Sequence, residues 1–152
     1  MTKILMVCLG NICRSPLAEG ILRKKLKEKG ISVVVDSAGT APYHIGENPD
    51  PRAITTAQRH NIEISHLVGR QFTVDDFDEF DSIYAMDVSN CDNILSLARN
   101  EDDKTKVELL LNVMEPGSDR SVPDPWHGGG DGFEDVFYML DEACEKVANS
   151  LK

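Results

Sequence analysis

No part of this 152-residue chain is apolar for long. The run behind Lys3 is too brief for the core of a secretion signal and far too brief to span a bilayer, which implies a cytoplasmic protein with no membrane partner. Its four cysteines, Cys8, Cys13, Cys91 and Cys144, form no C-x-x-C pair and have no His-rich tract beside them. That spacing excludes the common zinc arrangements and points to no metal and to reduced thiols. Positive charge is scarce as well: 16 Lys and Arg stand against 26 Asp and Glu, a net charge of −10. The long-range field therefore repels polyanions and anionic lipid, so nucleic acid is excluded as a partner. Any anion handled here must be drawn by a local arrangement of donors. Internal repeats and low-complexity tracts are absent too.

What is present is the composition of an ordinary globular protein, 41% hydrophobic and 28% charged, in a chain long enough to bury its own core as one domain over residues 1–152. Residues 3–7 form, after the one charge of Lys3, a continuous apolar run, as expected of a strand buried on both faces of a parallel sheet. Behind it, Ser15 suits an N-cap and Pro16 a first helical position. Leu17, Ile21, Leu22 and Leu26 then make an apolar stripe, and Gly30 stops the helix. Further strands are expected at 32–38, 82–85 and 106–111, with helices over 52–60, 88–98 and 133–151. Strands alternating with helices imply right-handed crossovers and a doubly wound sheet, whose ligands bind beyond the carboxyl ends of the strands. The Pro- and Gly-rich stretch 112–132 is too long for a mere connection and reads as a functional loop.

The stretch VCLGNICRSP lies where that rule places a site. Cys8 and Arg14 are spaced C-x5-R, so the backbone amides of Leu9, Gly10, Asn11, Ile12, Cys13, Arg14 and Ser15 can curl round one anion. Gly10 permits backbone geometry barred to other residues, and Asn11 tolerates a left-handed conformation. A helix N-terminus and the planar fork of Arg14 add positive charge, which suits a phosphate and answers the objection from net charge. Cysteines so placed are commonly ionised near neutrality, which makes Cys8 an in-line nucleophile toward phosphorus with no metal or other cofactor. Ser15 can also donate a hydrogen bond to that sulfur. In SVPDPWHGGGDGF, Asp124 is the candidate general acid, held extended by a proline on each side, with Gly128, Gly129 and Gly130 as hinges beside it.

Together VCLGNICRSPLAE and DPWHGG, with DSAGT, HIGENPDPRA and YAMDVSN between them in order, resemble the low molecular weight protein tyrosine phosphatases over nearly the whole chain. The resemblance implies a flavodoxin-like, three-layer αβα fold around a four-stranded parallel sheet, with Cys8 as nucleophile, Arg14 as phosphate clamp and Asp124 as acid and then base. It implies a monomer acting on tyrosine-phosphorylated proteins, with inorganic phosphate or sulfate able to sit in the loop. Asn11 and Ser15 fall on supporting positions. His66 matches a histidine that in relatives helps to fix the loop asparagine, although the residue by itself reads equally as an ordinary structural histidine. Tyr43 and Trp126 match the substrate rim, where Trp126 and His127 depart from the two tyrosines many relatives carry. Cys13 is placed near Cys8 and can trap an oxidised Cys8 as a reversible disulfide; its bland reading is a small loop filler. Cys91 and Cys144 read as inert core residues.

Three rivals stand beside a tyrosine phosphatase. An arsenate reductase on the same fold needs a closely spaced resolving pair that Cys91 and Cys144 do not supply. A phosphoarginine phosphatase resembles this loop but carries threonine where Ile12 stands. A non-catalytic phosphate-binding module needs neither a nucleophile nor an acid.

Overall fold

The computed structural model describes residues 1–127 and 130–151. Strand β1 (Lys3–Cys8) is buried from Ile4 onward, and its side chains alternate between two cores: Ile4, Met6 and Cys8 on one face, Leu5 and Val7 on the other. A strand wetted on neither side needs apolar residues at every position, which is why the run is continuous rather than alternating. β2 (Val34–Gly39), β3 (Ser82–Ala85) and β4 (Val107–Leu109) join it in the order β2-β1-β3-β4, every pairing parallel. Helices α1 (Arg14–Lys29), α2 (Pro51–Arg59) and α6 (Gly130–Ser150) cover one face. The short α3 (Asp76–Glu79), α4 (Val88–Leu95) and α5 (Glu101–Thr105) lie toward the other. This is the expected three-layer, doubly wound, flavodoxin-like arrangement. No helix among the described residues is long and apolar enough to cross a membrane.

The strand order creates the site. From β1 the chain goes outward to β2 and later returns to place β3 on β1's other side, so the connections leaving β1 and β3 diverge and open a crevice at their carboxyl ends. Cys8 ends β1 opposite Gly39, the last residue of β2. A Cβ on Gly39 would stand 2.8 Å from the Leu9 carbonyl oxygen and 3.1 Å from the Asn11 nitrogen. Only glycine lets the β1–α1 loop cross there.

Several boundaries differ from the sequence expectation. Helix α1 begins at Arg14 with Cys13 in the cap position, so Ser15 is not the N-cap and Pro16 is not the first helical residue. Ser15 cannot cap because its hydroxyl is engaged by the nucleophile loop. Gly30 does close the helix in a left-handed conformation, φ 68°. β2 starts two residues later than expected and β4 is only three residues long, passing directly into the 3-10 turn Leu110–Val113. α3 and α5 were not foreseen, being too short to show a helical period.

Candidate active site

A cavity of about 260 Å³ opens at the crevice, floored by Cys8, Leu9, Gly10, Ile12, Cys13 and Arg14 and walled by Tyr43, His44, Asp124 and Trp126. Residues widely separated in sequence but singled out there are thus brought together, apart from Asn11 and Ser15 beneath the floor and His66 elsewhere. Of the glycines expected as hinges, Gly128 and Gly129 lie outside the described residues, and Gly130 is the first residue of α6.

The β1–α1 loop is shaped by where its carbonyls go. Thr40 and Ala41, extending β2, donate their N–H groups to the Cys8 and Leu9 oxygens, and Asp50 N–H donates to the Ile12 oxygen at 2.8 Å. The carbonyls are therefore held by the surrounding chain. Among the described residues, the N–H groups of Gly10, Ile12 and Cys13 donate to no protein acceptor, and those of Arg14 and Ser15 are first-turn donors that a helix leaves unpaired. Five donors at the bottom of one bowl suit a tetrahedral oxyanion. Asn11 supplies the left-handed turn, at φ 59°. Gly10 does not: it is absent from the positive-φ residues, and its role is spatial, since a Cβ there would stand 3.0 Å from His44 Cδ2.

Beneath the bowl runs a chain of polar contacts. Cys8 Sγ accepts from Asn11 N–H at 3.3 Å and lies 3.0 Å from Ser15 Oγ. Asn11 Nδ2 donates to Ser15 Oγ at 2.8 Å and to Ser37 Oγ at 3.0 Å, while its Oδ1 accepts from Arg70 N–H. Ser37 in turn donates to Glu19 Oε1 at 2.6 Å. Asn11 is thus fixed by Ser15, Ser37 and Arg70. No hydrogen bond joins it to His66, which is exposed on the segment after α2, alongside a separate cavity that also contains Glu19. The expected direct support from His66 is replaced by Ser37, which sits on β2 directly beside the loop.

Arg14 is 3% exposed. Its Nη1 donates to Asp87 Oδ2 at 2.7 Å and to the Val122 carbonyl at 2.9 Å, and Nη2 lies 3.7 Å from Asp124 Oδ2. The guanidinium is therefore oriented from behind by acceptors on two other elements while it lines the cavity. Asp87 was missed in the sequence. It ends the β3 side of the crevice and caps α4 by accepting from Asn90 N–H; the D-x-x-N pattern after a short strand was the available signal. Asp124 Oδ1 accepts from Trp126 N–H at 3.0 Å, an Asx-type turn that holds the carboxylate at the cavity wall.

At the rim, Tyr43 is 69% and Trp126 42% exposed. His44 Nδ1 lies 3.0 Å from Glu47 Oε2, and the His44 ring is 5.8 Å from that of Trp126. Cys13 is buried, which pushes its thiol well above the ordinary range, with the nearby charges of Asp50 and Cys8 adding to the shift. Cys144 is fully enclosed between α6 and α1, and Cys91 is half-buried against the other core. Burial raises both thiols.

The family profile described as low molecular weight phosphotyrosine protein phosphatase matches residues 3–152. The phosphatase of that name from Schizosaccharomyces pombe is 38% identical over 157 aligned residues, covering 99% of this chain and 99% of its own. The crystal structure of a protein tyrosine phosphatase from Entamoeba histolytica with Hepes in its active site superposes with a TM-score of 0.93 at 35% identity, covering 99% of this chain and 97% of that one. The YwlE arginine phosphatase shares the fold at 28% identity and TM-score 0.88, covering 99% and 95% of the two chains. With the profile spanning almost every residue and the site assembled at the fold's crevice, this chain belongs to the low molecular weight phosphotyrosine protein phosphatase family, which are cysteine-dependent hydrolases.

Proposed function

We propose that the protein hydrolyses phosphotyrosine in proteins, and small aryl phosphates, through a phosphocysteine on Cys8. One observation carries this reading: the Cys8 sulfur, the unpaired loop amides, the buried Arg14 fork and the Asp124 carboxyl line a single small cavity. The Arg14 side chain and the amides of Gly10, Ile12, Cys13, Arg14 and Ser15 hold the phosphoryl oxygens, while Asn11 N–H donates to the Cys8 sulfur. The Cys8 thiolate forms the S–P bond as the P–O bond to the phenol breaks, and Asp124 gives its proton to the departing oxygen. Water then attacks phosphorus, Asp124 takes its proton, and the S–P bond breaks. Ser15 donates a hydrogen bond to the leaving sulfur, and Asn11 keeps Ser15 and the loop in register. Tyr43 and Trp126 flank the phenyl ring. Residues 1–152 act as one domain and as a monomer.

Cys13 serves as a resolving thiol. When peroxide has oxidised Cys8 to the sulfenic acid, the Cys13 sulfur bonds to it and water leaves. Ile12 on the cavity floor and the half-buried, solitary Cys91 weigh against the phosphoarginine and arsenate alternatives.

The test is turnover of para-nitrophenyl phosphate, abolished in Cys8→Ser. Asp124→Ala lowers kcat/KM by about 10²–10⁴ for phenyl phosphate, whose leaving group needs a proton, and by much less for para-nitrophenyl phosphate. Retention of the parent rate by Cys8→Ser, or equal losses on both substrates in Asp124→Ala, would refute the mechanism. Phosphotyrosine, phosphoserine and phosphoarginine peptides compared side by side should rank in that chemistry's favour, phosphotyrosine first.

A further inference from the structure

The acid and the nucleophile sit on different elements more than a hundred residues apart, and something must hold one against the other. Asp50, the N-cap of α2, is attached to the nucleophile loop by its N–H bond to the Ile12 carbonyl, and its buried carboxylate accepts from Arg52 N–H, Nε and Nη2 at 2.8, 3.1 and 3.0 Å. The same guanidinium also meets two aromatic rings. Arg52 Cζ is 5.4 Å from the Trp126 ring centroid and 4.8 Å from that of Phe133. These two rings bracket, in sequence, a stretch containing Gly128, Gly129, Gly130 and Gly132, residues that impose few conformational limits of their own. Trp126 also donates its N–H to the Asp124 carboxylate. A continuous run of contacts therefore leads from the loop beside Cys8, through Asp50 and Arg52, to Trp126 and Asp124.

We propose that Arg52 is a positioning residue for proton transfer: clamped by Asp50 on the nucleophile side, it holds Trp126 and Phe133 by cation–π contact and so sets where Asp124 stands relative to Cys8. The assignment rests on the reading of Asp124 as the acid. Although burial opposes it, hydrogen bonding from Arg52 keeps the Asp50 carboxyl below its usual range, so the clamp stays charged through neutral pH.

Steady-state kinetics of Arg52→Met and Arg52→Lys on two substrates test the idea, with inhibition by inorganic phosphate as the check on the anion bowl. In Arg52→Met, kcat/KM falls about tenfold on phenyl phosphate and less than about threefold on para-nitrophenyl phosphate, while the phosphate inhibition constant is unchanged. Arg52→Lys, which keeps a cation for both rings, recovers most of the loss. The double variant Arg52→Met/Asp124→Ala has a kcat on phenyl phosphate no lower than that of Asp124→Ala alone, because in the proton-transfer step the arginine acts through the acid. Equal losses on both substrates, weaker phosphate inhibition, no recovery with lysine, or a further loss in the double variant would each overturn the assignment. If Asp124→Ala itself shows no dependence on the leaving group, the acid and its positioning residue fall together; if it does and Arg52→Met does not, only Arg52 falls.

Discussion

Single residues in this protein divide by whether their reason is local. Asn11 could be read directly, because a non-glycine residue that tolerates the left-handed region was needed in a tight loop, and it occupies φ 59°. Ser15 could be read only in part: its neighbours suggest a cap, a position that Cys13 takes, whereas its hydroxyl lies 3.0 Å from Cys8 Sγ, the contact expected of it. Glu19 is the least expected. It is 1% exposed on a helix full of lysines, and its Oε2 has no hydrogen bond, lying 2.8 Å from Arg23 Nη2, which donates instead to the Val35 carbonyl. Burial pushes its carboxyl above the usual range, with Ser37 and Arg23 drawing it part of the way back. A raised folded-state value means that the folded form binds the proton more tightly, so this group's contribution is intact at acid pH and declines as pH rises through the folded value. Glu19→Gln keeps an acceptor for Ser37 and removes the titration. In urea unfolding the variant should gain on the parent as pH rises from about 4 to about 7; a difference constant with pH would contradict the assignment.

Among the elements, α1 shows how packing overrides propensity. Gly20 lies inside this helix, where Ala is ordinarily preferred by about 1 kcal/mol. A Cβ there would stand 2.6 Å from Ile64 Cγ2 and 2.9 Å from Ile62 Cγ2, methyls on β-branched and buried side chains that have little room to turn. Overpacking of this kind costs about 1–3 kcal/mol, so Gly20→Ala should unfold at lower urea than the parent, the reverse of the propensity ranking. Higher stability would show that the 62–64 segment yields easily. The long, strongly periodic α6 and the apolar β1 were legible because their patterns repeat over many residues. α3 and α5 were not, and neither was the shortness of β4, because elements of three to five residues are set by what they pack against.

For the whole molecule, a net charge of −10 surrounds one small bowl of amide donors and a guanidinium. The bowl acts at contact range, whereas the global field extends about a Debye length, ~10 Å at 0.1 M salt. Added salt should therefore raise kcat/KM for a phosphotyrosine peptide with acidic flanks and lower it for one with basic flanks, while para-nitrophenyl phosphate changes little. Identical salt profiles for the two peptides would mean that the long-range field does not reach the docking path. The alternation of strands and helices, the doubly wound class and the trio Cys8, Arg14 and Asp124 were all legible in the order of residues, because periodicity, C-x5-R spacing and Pro-Asp-Pro are properties of the chain itself. Asp87 behind Arg14, Ser37 under Asn11 in place of His66, and Arg52 against Trp126 and Phe133 emerged only on folding. Those partners are distant in sequence and meet because parallel strands bring remote carboxyl ends to one edge, where a buried charge or amide must be satisfied by whatever the fold sets beside it.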